Sequence, residues 1–110
     1  MPNLFISGGE NVYPAEIEGA LAAYPNLAEC AVVGVADERW GEVGHLVLVP
    51  MADARLDFSE VIAYLEPRLA RYRIPKHLSV MHQLPRNGAG KLMKATLRAM
   101  LNPNQSAFPW

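Results

Sequence analysis

The chain has 110 residues, 51% of them hydrophobic and 19% charged, with a formal net charge of -1. That length and apolar content suit one domain over residues 1–110 and exclude a chain disordered throughout. No stretch approaches the ~18 uninterrupted apolar residues of a membrane helix and no basic-then-apolar leader opens the sequence, so a cytoplasmic protein without a transmembrane segment is expected.

Leu4 to Ile6 is a short apolar run that stops at Ser7-Gly8-Gly9, and Asn11 to Tyr13 leaves the turn, which predicts an N-terminal β-hairpin. Pro14 suits a first helical position, and Ile17, Leu21 and Tyr24 follow at helical spacing until Pro25-Asn26. Glu16 and Glu18 lie at the end of that helix where its dipole favours negative charge. Cys30 to Val35 and His45 to Met51 read as two antiparallel strands joined by the polar turn from Asp37 to Glu42.

Asp57 followed by Glu60 resembles a capping box, and Val61, Ile62, Leu65 and Leu69 form the stripe of a second helix, with a kink or early end at Pro67. A third short strand is predicted from Leu78 to Met81. A glycine-bearing loop follows from Leu84 to Gly90, then a last helix from Leu92 to Leu101, halted by Asn102-Pro103. The tail 102–110 is expected to fray. The fold class is therefore α+β, with a small antiparallel sheet of about three strands plus the hairpin, flanked by about three helices.

Charge divides unevenly along this order. Residues 1–54 hold eight acidic side chains against Arg39 alone, and residues 55–110 hold nine basic against three acidic. Two readings are open: a basic surface for an anionic ligand, or two halves that fold together and neutralise each other. Cys30 is the one cysteine and can form no internal disulfide; His45, His77 and His82 show no metal-ligand spacing, so no metal site is expected.

Pro85-Arg86-Asn87-Gly88-Ala89-Gly90-Lys91 looks like half of a phosphate loop: glycines admit close backbone approach and a lysine supplies a movable ammonium. Leu92 stands where a phosphate loop needs Ser or Thr, and Pro85 where it needs an earlier glycine, which excludes a nucleotide hydrolase of that kind.

Four strings in fixed order carry a resemblance. The segment from Phe5 to Glu18, which contains Ser7-Gly8-Gly9-Glu10-Asn11-Val12-Tyr13-Pro14, resembles the hinge-proximal motif of acyl-CoA synthetases, members of the adenylate-forming superfamily. Asp37-Glu38-Arg39-Trp40-Gly41-Glu42 resembles their central turn, and Arg71-Tyr72-Arg73-Ile74-Pro75-Lys76 their Arg-Tyr-Lys-x-Pro segment. Leu84 to Leu92 is similar to their terminal Pro-Arg-x-x-x-Gly-Lys motif. Each motif alone is weak to moderate; the ordered series is specific and spans nearly the whole chain.

The resemblance implies the small C-terminal, or lid, domain of an AMP-forming ligase, whose partner is a large N-terminal adenylation domain of the same enzyme. Such enzymes join a carboxylate to ATP, release pyrophosphate, then pass the acyl group to coenzyme A (CoA), with Mg2+ bound mainly through the large domain. It implies that Lys91 is the adenylation lysine within a loop containing Arg86 and Gly90. It also implies that Ser7, Gly8 and Gly9 line the passage for the pantetheine arm, with Gly9 the strongest single candidate. Trp40 and Tyr72 either stack on the adenine of CoA, with Arg71, Arg73 and Lys76 near its phosphates, or merely close the turn and anchor the second helix.

Pro2 stands where the family has its hinge Asp or Lys, and Gly88-Ala89 replaces a common Ala-Thr, which is expected to loosen the loop. Isolated, the chain is expected to be inactive. The rival is a free-standing module that keeps the fold and binds a nucleotide or protein without catalysis. Nucleic acid is not an expected partner, because the basic residues are scattered over separate elements without an aromatic strand pattern.

Overall fold

A computed structural model describes residues 4–101. Pro2, the Asn102-Pro103 stop and the tail expected to fray lie outside the described residues.

Strands β1 (Phe5–Ser7) and β2 (Glu10–Val12) form the hairpin, in the register Phe5 to Val12 and Ser7 to Glu10. Its two-residue turn places Gly8 at φ +57° and Gly9 at φ +85°. Positive φ at both positions matches the turn to the right-handed twist of the strands. Helix α1 (Pro14–Ala20) begins on Pro14 and is shorter than its stripe predicts. Beyond Ala20 the chain tightens into turns in which Ala22 N–H donates to Gly19 O and Tyr24 N–H to Leu21 O. The helix buries Ile17, and those turns still bury Leu21 and pack Tyr24 on the core.

Strands β3 (Leu27–Asp37) and β4 (Gly41–Pro50) make an antiparallel ribbon longer than expected, with Asp37 opposite Gly41. The Asp37 carboxylate accepts from the N–H groups of Arg39 and Trp40 at 2.9 and 2.8 Å, and so contracts the turn to residues 38–40. Helix α2 (Phe58–Leu65) is capped by Asp57, whose side chain accepts from Ser59 N and Glu60 N, and ends before Pro67. A 3₁₀ turn at Arg71–Arg73 precedes β5 (His77–Val80). β5 pairs parallel to β4, His77 opposite His45, because the chain returns over α2 rather than by a tight turn. Helix α3 (Lys94–Met100) starts later than predicted: Leu92 bridges to Arg86 and Met93 N–H donates to Pro85 O.

The fold is α+β: a five-stranded sheet of order β2-β1-β4-β3, with β5 also on β4, flanked by three helices among the described residues. Alternation along the ribbon supplies both faces. Val32, Leu46 and Leu48 point toward α1 and α2, where Ile17, Leu21, Val61 and Leu65 complete one core. Ala31, Val33, Val47 and Val49 point to the other face, against Leu84 and Leu97.

β3 lies at the edge of the sheet, and three charged side chains occupy its outward backbone groups. Glu18 accepts from Val32 N at 2.9 Å, Lys94 Nζ donates to Val32 O at 3.1 Å, and Arg98 Nε donates to Gly34 O at 3.0 Å. Glu18 and Lys94 also pair with each other at 3.0 Å, joining helices from opposite faces around the edge. A plugged edge cannot recruit another strand. Glu18→Ala leaves the part-buried Val32 N–H without its acceptor and the Lys94 ammonium with Val32 O alone, so it is expected to cost about 2 kcal/mol. Glu18→Gln, which still accepts from Val32 N, should cost less; urea unfolding of both checks the order.

Candidate functional site

The two ends of the β3–β4 ribbon carry different chemistry. At the turn end, β1 meets β4 through Ser7 opposite Gly41, and Gly8 N–H donates to Trp40 O at 2.9 Å. This docks the hairpin turn beneath the Trp40 ring. A Cβ built on Gly8 would sit 2.6 Å from Trp40 Cε3, whereas one on Gly9 meets nothing within 4 Å. Gly8 is thus required by close approach as well as by its positive φ, and Gly9 by φ alone.

The 3₁₀ turn brings Arg71 and Tyr72 alongside, and Lys76 is held by its N–H donating to Gly44 O at 3.0 Å. Together Ser7, Gly8, Glu10, Trp40, Arg71, Tyr72 and Lys76 line a cleft of about 530 Å³. Trp40 and Tyr72 are partly exposed there, and Lys76 Nζ lies 5.6 Å from the Trp40 ring centroid. Such a cleft offers aromatic faces and cations to a flat ring carrying anionic groups.

The structure gathers six of the eight residues expected on this side and leaves two out. Arg73 directs its guanidinium to Glu16, with Nη1 to Oε2 at 2.6 Å, and stacks 5.2 Å from the Tyr72 ring. Gly9 is not among the lining residues. Glu10 is, and no spacing in the sequence singled it out, because the hairpin turn alone decides where it faces. Gly8→Ala and Gly9→Ala should each lose about 1 to 2 kcal/mol from backbone strain. Only Gly8→Ala should displace the Trp40 ring; the Trp40 indole resonance, shifted in one variant and unmoved in the other, checks this.

At the far end, about 26 Å away along the eight steps from Glu29 to Asp37 at ~3.3 Å each, lies the glycine loop. Arg86 Nη2 pairs with Glu29 on β3, and Arg86 Nη1 donates to Gly90 O at 3.1 Å. The Asn87 side chain accepts from the N–H groups of Ala89 and Lys91 at 2.9 and 3.0 Å, and Asn87 N–H donates to Lys91 O at 3.0 Å. Gly90 takes φ +82°. The loop expected to be loosened by its small residues is therefore stitched by Asn87. Lys91 is exposed, and its ammonium has no hydrogen-bond or ion-pair partner among the described residues.

Burial, followed by the nearby Glu18 and Glu29 carboxylates, pushes the Cys30 thiol up to about 11, so it stays protonated and unreactive at neutral pH. Among the described residues no three His, Cys, Asp or Glu side chains gather to hold a metal ion, and no helix is long and apolar enough to cross a membrane.

Residues 16–91 match the model of the AMP-binding enzyme C-terminal domain. The chain belongs to that family. This C-terminal domain is similar to a feruloyl-CoA synthase of Amycolatopsis sp., 48% identical over 98 residues that cover 89% of this chain and 20% of the relative. It is also similar to an indoleacetate–CoA ligase of Aromatoleum aromaticum, 49% identical over 98 residues, covering 89% and 19%. Among solved structures it resembles ATP-bound MatB from Rhodopseudomonas palustris, with TM-score 0.89, 37% identity and coverage of 94% of this chain and 20% of that one. A Mycobacterium tuberculosis fatty acyl CoA synthetase gives TM-score 0.85 at 40% identity, covering 92% and 20%. The domain spans about a fifth of the length of these relatives.

Proposed function

We propose that this domain serves an AMP-forming acyl-CoA ligase, presenting Lys91 in one half-reaction and the Trp40–Tyr72 cleft in the other. In the first, a carboxylate oxygen attacks the α-phosphate of ATP, the bond to pyrophosphate breaks, and acyl-AMP forms. In the second, the CoA thiol attacks the acyl carbon, AMP leaves, and the thiol proton is lost. The observation that carries this reading is the separation of two built features at opposite ends of one ribbon, which lets a single small domain offer each in turn to one active site. The partner is a large N-terminal adenylation domain, and the substrates are a carboxylic acid, ATP and CoA.

Lys91 fits the first step because a carboxylate meeting a phosphate brings two anions together, and an unpaired ammonium on a long stem can bridge them as charge redistributes. For the second, Gly8 beside the small side chain of Ser7 offers an unobstructed wall for the pantetheine arm, the rings of Trp40 and Tyr72 take the adenine, and Arg71 and Lys76 take its phosphates. Arg73 contributes by holding Tyr72 rather than by touching phosphate. Mg2+ would be bound mainly through the large domain, beside the phosphates of ATP.

The test joins this chain to the large domain of the feruloyl-CoA synthase in place of that enzyme's own last fifth. Ferulate-dependent pyrophosphate release followed by feruloyl-CoA formation supports the reading. A folded chimaera that binds adenosine 3′,5′-bisphosphate yet releases no pyrophosphate would favour the non-catalytic module.

A further inference from the structure

We infer that Asn87 is the positioning residue for Lys91, an inference that rests on the adenylation role given to Lys91 above. Asn87 bonds both backbone groups of Lys91: its Oδ1 accepts from Lys91 N at 3.0 Å and its own N–H donates to Lys91 O at 3.0 Å. The same Oδ1 holds Ala89 N at 2.9 Å, and Gly90 N–H returns to Asn87 O at 2.9 Å. Residues 87–91 thus close on one carboxamide, while the neighbouring Arg86 ties the ring to Glu29 on β3 and to Gly90 O. A lysine side chain alone cannot aim its ammonium, because its stem rotates freely; the aim comes from where the Cα is fixed.

Gly88, Ala89 and Gly90 supply no side chain that could restrain the loop, and Gly90 sits at φ +82°. Remove the carboxamide, and two backbone N–H groups lose their acceptor together. Displacing a reacting group by about 1 Å costs on the order of 10²-fold in rate. The loss should appear in the turnover of the adenylation step, since Lys91 acts on the developing charge, and leave ATP affinity nearly unchanged.

Two measurements test this. On the chain itself, Asn87→Ala should speed hydrogen exchange at Ala89 and Lys91 by roughly tenfold or more while leaving Leu46 and Leu48 unchanged. Asn87→Asp, which keeps the accepting oxygen, should restore protection. In the chimaera, Asn87→Ala should lower kcat for pyrophosphate release about 10- to 100-fold with the KM for ATP little changed. Combined with Lys91→Ala it should cause no further loss, because a group that acts only through Lys91 has nothing left to position. Asn87→Ala at the full rate, beside an inactive Lys91→Ala, overturns this inference and leaves the role of Lys91 standing. A further loss in the double variant also overturns it. Lys91→Ala at the full rate instead overturns the adenylation role itself.

Discussion

Lys91→Ala in the chimaera is expected to slow pyrophosphate release about 10²- to 10³-fold, the loss seen when one preorganised charge-stabilising donor is removed. Thioester formation from pre-formed feruloyl-adenylate should continue near the unsubstituted rate, because that step calls on the other end of the β3–β4 ribbon. Stability should not change: the ammonium is exposed and makes no bond to the rest of the described chain. Lys91→Arg keeps the charge but replaces a compact, rotatable group with a rigid planar fork, and most of the loss should persist. Separate assays of the two half-reactions check the split. Equal slowing of both would mean that Lys91 supports the fold or the domain interface rather than adenylation.

The arrangement behind that expectation was partly visible in the sequence. The uneven charge of the two halves admitted two readings, and the structure divides the basic residues between them. Glu16 with Arg73, Glu18 with Lys94 and Glu29 with Arg86 each join the acidic half to the basic one, so neutralisation within the fold accounts for three cations. Arg71 and Lys76 line the cleft and Lys91 ends the loop, leaving a basic surface where an anionic ligand is proposed. Spacing could not separate Arg71 from Arg73, two residues apart; the 3₁₀ turn sends one toward the cleft and the other toward α1.

Local signals were legible where local chemistry decides. The hairpin turn at Gly8-Gly9, the Asp57 cap and the stop before Pro67 each follow from one or two residues, and each is present. Distant pairing was not legible: β5 is only four residues long, and nothing within His77–Val80 says that it lies parallel to β4. Asn87 was hidden for a different reason. An Asn in a glycine loop signals a turn in general, and only the folded backbone shows that its side chain grips the residue carrying the chemistry.

The same parallel pairing sets a strong pH dependence. It places His45 on the central strand opposite His77, fully buried, with Nε2 2.9 Å from Ser79 Oγ and Nδ1 without a partner among the described residues. Protonation would put an N–H on both ring nitrogens in a site that satisfies one. Burial, with a smaller push from His77, therefore lowers the His45 pKa from 6.5 to about 4. Because the unfolded chain binds this proton more tightly, the stabilisation is complete above pH 6.5 and is lost as pH falls through 6.5 toward 4. The full span is about 3 kcal/mol, a large part of the stability of a domain this size. Below pH 4 both states carry the proton and the loss stops growing. His45→Gln retains a group able to reach Ser79 but cannot titrate, so its stability should fall less steeply by about 1.4 kcal/mol per pH unit across that window. Urea unfolding of both proteins from pH 7.5 to 4 measures the difference, with carboxylate contributions common to the two cancelling. Parallel curves would show that His45 binds its proton as readily in the folded chain as in the unfolded one, and the burial of that ring would then have to be relieved by water reaching Nδ1.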